Sequence, residues 1–277
     1  MKWGLLGVRL GILGVYIVII VIILMSFLPL AMGGLDITMD EEEGQWEMRD
    51  GVIILAQALG VYNGGFYDIE DFTLRFVLED AHGNTISDSF HRPVDIFAGE
   101  TTDINFLIRI DLDDMNEDTR IDLVFNGADL TALVDVQTFY MMRLIQMGVN
   151  VTEDFWWDPI IADFGIRSSG INYQWNGTAI DLIVPYFVDA SDMLSGQVAN
   201  LQCSLRNETG ELAMTAESVA LQGYTSGELL FPLDDAASQD LLINSQTLRF
   251  EMLVEFEGAE SSTTIDYYWY APGGWWA

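Results

Sequence analysis

From Leu10 to Leu28 the chain is uncharged and mostly Ile, Val and Leu. Nineteen such residues form a helix of about 28 Å, close to the ~30 Å hydrocarbon core of a bilayer. Beyond residue 34 the pattern changes to alternation. Leu74, Phe76 and Leu78 alternate with Thr73, Arg75 and Val77, the period of a half-buried strand, and Ala81-His82-Gly83-Asn84 closes it into a hairpin. Leu201, Cys203 and Leu205 repeat this before Asn207-Glu208-Thr209-Gly210. Asp50-Gly51 and Asn176-Gly177, each shortly after a Gln-Trp pair, are hairpin signals that introduce a new strand. One segment reads differently: Leu130, Leu133, Val134, Met141, Leu144 and Ile145 recur near helical spacing between an N-cap at Asp129 and Gly148. That spacing predicts a helix near 129–147.

The downstream chain also repeats itself. Ile53 and Leu55 correspond to Ile180 and Leu182, Leu74 and Leu78 to Leu201 and Leu205, and Gly83 to Gly210. Further along, Gly99-Glu100 stands opposite Gly227-Glu228, and Ile121, Leu123 and Phe125 opposite Met252, Val254 and Phe256. The expected architecture is mainly β: an N-terminal transmembrane helix, then two antiparallel β-sandwich domains of immunoglobulin or fibronectin-III-like type. The expected boundaries are a cytoplasmic N-terminus at 1–9, a transmembrane signal-anchor at 10–34, an acidic juxtamembrane linker at 35–44, and sandwich repeats at 45–148 and 149–277.

Charge fixes the orientation. Lys2 and Arg9 precede the apolar run, and Asp36, Asp40, Glu41, Glu42 and Glu43 follow it, so the positive-inside rule leaves the N-terminus in the cytoplasm and the domains outside. The competing reading is a signal peptide cleaved near Ala31-Met32-Gly33, but the apolar run exceeds the ~7–15 residues of an h-region. Gly7, Gly11 and Gly14 lie along one helical stripe, a small-residue face through which two membrane helices form a homodimer. The bland account is that glycine is common in membrane helices.

With 43 acidic against 11 basic residues and a formal charge of −32, the chain is a poor ligand for nucleic acid, which needs Lys and Arg to displace counterions. Lys2 is the sole lysine, so the surface beyond the anchor carries only arginine among its acids, a balance suited to a saline exterior. A single cysteine, Cys203, excludes an intrachain disulfide, and its place opposite Phe76 marks it as a small buried hydrophobe.

The search for chemistry finds no Gly-x-Ser-x-Gly elbow, His-Glu-x-x-His helix or Walker loop, so no catalytic, cofactor or metal residues are assigned and an enzyme is not expected. The acidic run Asp111–Asp118 has oxygen side chains in calcium-loop positions from Asp114. Thr119 replaces the turn glycine and Phe125 the bidentate glutamate, which leaves a solvated acidic turn. His82 and His91 show no partnered nucleophile. Sequons at Asn150, Asn176 and Asn207 offer glycan acceptors. Trp275 and Trp276 end the chain as either a fold-back onto their own domain or an aromatic contact for a partner or membrane interface.

The run Gly60-Val61-Tyr62-Asn63-Gly64-Gly65-Phe66-Tyr67-Asp68-Ile69, the strand to Leu78, the Gly83-Asn84 turn and Ala98-Gly99-Glu100-Thr101-Thr102 resemble the sandwich of late-embryogenesis-abundant 14 and water-stress-hypersensitivity proteins, archaeal membrane-anchored forms above all. The resemblance covers about 100 residues of the first repeat. It implies an antiparallel sandwich with one helix, stress protection or binding of apolar or lipid-like ligands, and no enzymatic residues. The expected function is therefore a binding or scaffolding role at the cell surface, with the bilayer and an unknown protein or apolar ligand as partners. The alternatives are binding or transfer of lipid and a pilin-like filament subunit, although Arg9-Leu10-Gly11 lacks a base directly before a glycine cleavage site.

Overall fold

The computed structural model describes residues 35–39, 45–65, 67–140, 143 and 145–272. The expected membrane helix, with Gly7, Gly11 and Gly14, lies outside them, as do Trp275 and Trp276. Among the described residues no helix is long and apolar enough to cross a membrane. The described chain is mainly β, with four antiparallel four-stranded sheets. It resolves into two compact units, one running to Thr119 and from Gly127 to Asp158, the other holding Arg120–Asn126 and everything from Pro159.

In the first unit β1 (Leu35–Met39) and β2 (Gln45–Arg49) pair with successive halves of one edge of β3 (Val52–Asn63), and β6 (Thr101–Asp111) takes the other edge. The second sheet runs β5-β4-β7-β8, formed by Thr85–Ile96, Ile69–Asp80, Ala128–Tyr140 and Ile145–Trp157. The second unit repeats this plan. Strands β9 (Ile161–Ile166) and β10 (Asn172–Trp175) share one edge of β11 (Ile180–Ala190), and β14 (Tyr224–Pro232) takes the other. Its partner sheet is β13-β12-β15-β16, formed by Gly210–Ala220, Val198–Asn207, Gln246–Phe256 and Ala259–Trp269. The tandem repeat is therefore one of topology, strand for strand.

Alternation drives each strand. In β11 every second residue from Ile180 to Ala190 is buried, and each fully buried Ile, Leu or Phe contributes about 1.5–3 kcal/mol. Ring contacts bridge the two sheets of each unit: Phe76 meets Phe106 at 6.2 Å and Phe231 meets Phe250 at 6.0 Å. The Asp50-Gly51 hairpin forms as expected, with φ of 50° and 76° at its two turn residues, the left-handed pair that matches strand twist. The hairpins after Asp80 and Asn207 and the turn from Asn176 also form.

Three expectations need correction. Residues 129–147 are not helical: Leu130, Ala132, Val134 and Val136 are buried in alternation on β7. Leu130 and Val134 fit both a helical and a two-residue period, and the β-branched Thr131, Val134, Val136 and Thr138 favour strand. The helix instead precedes it, as α1 (Glu117–Ile121) running into a π-helical turn at Asp122–Asn126, where Leu123, Val124 and Phe125 are buried consecutively and cannot alternate. In the second unit α2 (Asp235–Ile243) holds the corresponding place. The boundary at 148/149 falls inside β8, which carries Trp157 into the first core. The linker assigned to 35–44 begins with strand β1.

The register also revises the repeat. Ladder partners equate Thr101 with Tyr224, Val136 with Val254 and Trp157 with Trp269. Gly99, with φ 79°, therefore aligns with Gln222, one residue before Gly223 with φ 62°, and not with Gly227. Gly227 instead sits across from Tyr186, whose hydroxyl lies 2.6 Å from where a Cβ would be. In the first unit the same two inward positions are Leu59 and Ile104.

Candidate functional site

One end of the first unit gathers loops around a buried polar side chain. Leu35 pairs with Asn63, Tyr62 with Thr101, and Ile69 with both Ile96 and Tyr140, so the β3–β4, β5–β6 and β7–β8 connections all lie at the end where β1 begins. Asn63 is 1% exposed. Its Nδ2 donates to the carbonyls of Tyr67 at 2.9 Å and Ile96 at 3.0 Å, and its Oδ1 accepts from Gly65 N at 3.0 Å. Its backbone N donates to the Glu100 carbonyl and its own carbonyl accepts from Gly99 N. A buried amide satisfied on every side in this way fixes two loops that sequence separates. Asp68 adds a further tie, its carboxylate accepting from Ala98 N at 2.9 Å.

This knot holds aromatic rings outward. Tyr62 and Tyr67 are each 42% exposed and Phe97 is 53% exposed. Tyr67 packs edge-on against buried Tyr140 at 5.8 Å, so its ring is braced from behind. Beside them Arg143, at φ 64°, pairs with Asp71 and lies 4.9 Å from the centre of the Phe139 ring. Asp36, Asp68 and Glu100 form an exposed acidic rim. The matching position in the second unit is Ala190, whose N donates to the Gly223 carbonyl without a side-chain knot. The second unit has a different feature: Arg167 lies over stacked Phe187 and Tyr224 and donates to the Tyr224 hydroxyl.

A second repeated device links the edge strands of each unit. Trp46 on β2 meets Trp157 on β8 at 5.7 Å, and Tyr173 on β10 meets Trp269 on β16 at 5.5 Å, both edge-to-face. Trp269 also donates to the Leu241 carbonyl at 2.7 Å, tying α2 to the last strand.

The sequons are separate from both features. Asn150 is exposed on β8 opposite Asp135. Asn176 and Asn207 share one geometry: each Oδ1 accepts from the backbone N and Oγ1 of the threonine two residues on and from the next backbone N. Asn176 donates through Nδ2 to half-buried Asp181, whereas Asn207 donates to Gln246, which is held in turn by Asp240.

Cys203 is fully buried, and burial followed by the charge of Glu251 pushes its thiol up to about 12, which makes it unreactive. Asp80 sits in the β4–β5 turn. Burial pushes its carboxyl up, but hydrogen bonds from Asn84, Thr119 and His82 prevail and hold it at about 2. The backbone of His82 thus serves a turn. In the acidic run, Asn116 caps α1 by accepting from Thr119 N at 2.9 Å. Among the described residues no group of three or more His, Cys, Asp or Glu side chains is placed to hold a metal.

Sequence reasoning missed the Asn63 knot and the paired edge aromatics. In the sequence Asn63-Gly64-Gly65 stands only as part of the family-like run Gly60–Ile69, and the partner carbonyl at Ile96 is remote in sequence.

No family model and no curated protein matches the chain. Among solved structures it is similar to a red sea bream transglutaminase, at 11% identity and TM-score 0.30, covering 83% of this chain and 31% of that one. It is also similar to a tetra-tandem repeat from the extending region of a large adhesion protein, at 12% identity and TM-score 0.26, covering 86% and 50%. A third is a DUF4785 family protein from Legionella pneumophila, at 14% identity and TM-score 0.28, covering 84% and 56%. The chain thus spans about a third of the transglutaminase and about half of the other two.

Proposed function

We propose that this chain is a single-pass membrane protein whose tandem β units bind or scaffold at the cell surface. The reading rests on one combination: an uncharged apolar stretch flanked by bases and then acids, followed by two copies of one strand plan that together carry nearly all of the charge. Each unit pairs its third strand with its sixth and its fourth with its seventh, which supports immunoglobulin or fibronectin-III-like sandwiches. Stress protection follows only from the resemblance to the water-stress-hypersensitivity proteins. Transfer of lipid between the layers would need space that Phe76, Phe106, Phe231 and Phe250 occupy.

Protease added to intact cells tests the topology. Removal of both β units with residues near Lys2 protected is expected, and protection of the units would refute the reading. Native mass spectrometry of the purified chain then identifies the partner that copurifies.

A further inference from the structure

We propose that the loop end of the first unit, carrying Tyr62, Tyr67 and Phe97, docks on the bilayer surface, in a patch of uncharged or zwitterionic headgroups. The inference rests on the reading that residues 10–34 cross the membrane, and tether length carries it. If the apolar run ends at Leu28, seven residue steps separate it from Leu35, and a fully extended chain of that length spans at most about 25 Å. Leu35 pairs with Asn63 at the loop end, so this end of the sandwich is the one held near the lipid. The opposite end lies about 40 Å away along the twelve-residue strand β4.

The tethered end is also the one with rings suited to an interface. Tyrosine pairs an apolar ring with a polar tip and concentrates at headgroup level, and Phe97 leaves more than half of its surface in water. The Asn63 knot holds these side chains on a rigid base, so little ordering is required on contact. The acidic rim of Asp36, Asp68 and Glu100 sets the headgroup preference. Anionic lipid presents a negative surface potential that would repel it, within a Debye length.

The test uses the full chain in phosphatidylcholine vesicles with an environment-sensitive dye on one added cysteine. Cys203 is buried and its thiol is pushed up to about 12, so labelling is selective. Ala98→Cys places the dye in the exposed β5–β6 loop, and Ala81→Cys places it at the opposite end. At position 98 the emission should shift to shorter wavelength and be quenched by spin-labelled lipid, while position 81 stays aqueous. Adding Phe97→Ser to the Ala98→Cys chain should reverse the shift with the unfolding midpoint kept, and adding phosphatidylglycerol at low salt should weaken it. Identical aqueous emission at both positions, or a shift that survives Phe97→Ser, overturns the docking. Alkaline carbonate separates this from the anchor: a chain that stays in the pellet with aqueous dye refutes docking alone, whereas a chain released to the supernatant refutes both.

Discussion

Replacing Asn63 with alanine removes three hydrogen bonds at once, and the surroundings of each partner set its cost. Ile96 is fully buried, so its carbonyl cannot recover a partner from water; an unsatisfied buried acceptor costs about 1–3 kcal/mol. Tyr67 is 42% exposed, so its carbonyl can be rehydrated, and Gly65 N is half-buried. These two bonds contribute about 0.5–1 kcal/mol each. The sum is about 2–5 kcal/mol, confined to the first unit. Urea unfolding read by tryptophan fluorescence checks it, because Trp46 and Trp157 lie in the first unit and Trp175 and Trp269 in the second. The first transition should move to lower urea while the second stays in place. Asn63→Asp should cost more at neutral pH, since it points a carboxylate at two carbonyl oxygens and raises its folded pKa, and that excess should fade as pH drops and the acid protonates. A loss below about 0.5 kcal/mol for Asn63→Ala, well under one buried unsatisfied acceptor, would refute the knot.

Three further outcomes follow from the same structure. Asp80 is held at about 2 against an ordinary 3.8, so its contribution of about 2 kcal/mol is complete above pH ~4 and lost as pH falls toward 2; acid titration of Asp80→Asn should lack that slope. Gly227→Ala sets a Cβ within 2.8 Å of three Tyr186 ring and hydroxyl atoms and should cost about 1–3 kcal/mol by overpacking, whereas Tyr186→Leu with Gly227→Ile, the first unit's pair, should recover most of it in thermal unfolding. The acidic surface should make the protein more heat-stable between low and molar salt as repulsion is screened, and an unchanged or falling midpoint would count against a saline setting.

What could be read from the sequence was local. Asp50-Gly51 announces its hairpin because left-handed turn residues act without help from the rest of the fold. The alternation around Leu74 and Leu201 likewise carries its own evidence of a buried face. The helix was misplaced because Leu130, Val134 and Ile145 satisfy more than one period, and only pairing with β4 and β8 settles which face is buried. The Gln-Trp pairs invited a match of Trp46 with Trp175, but the intervening turn holds two residues in one copy and four in the other, so the ladder matches Trp46 with Tyr173. The role of Asn63 is not legible locally, since its partner Ile96 lies across another hairpin.

The exchange of Leu59 and Ile104 in one unit for Tyr186 and Gly227 in the other preserves the number of side-chain heavy atoms, and that constrains the order in which the copies diverged. From a Leu–Ile ancestor, enlarging leucine to tyrosine first would have driven a ring into an occupied space, while shrinking isoleucine to glycine first would have left a void. Both steps are costly, but a void is tolerated by a domain with stability in reserve, whereas a clash displaces the backbone. The history with fewer unfolded intermediates runs through the void, with tyrosine arriving later as its repair. Once repaired, the pair is locked in one direction: isoleucine cannot return at position 227 while tyrosine stands at 186, so any way back passes through the void again.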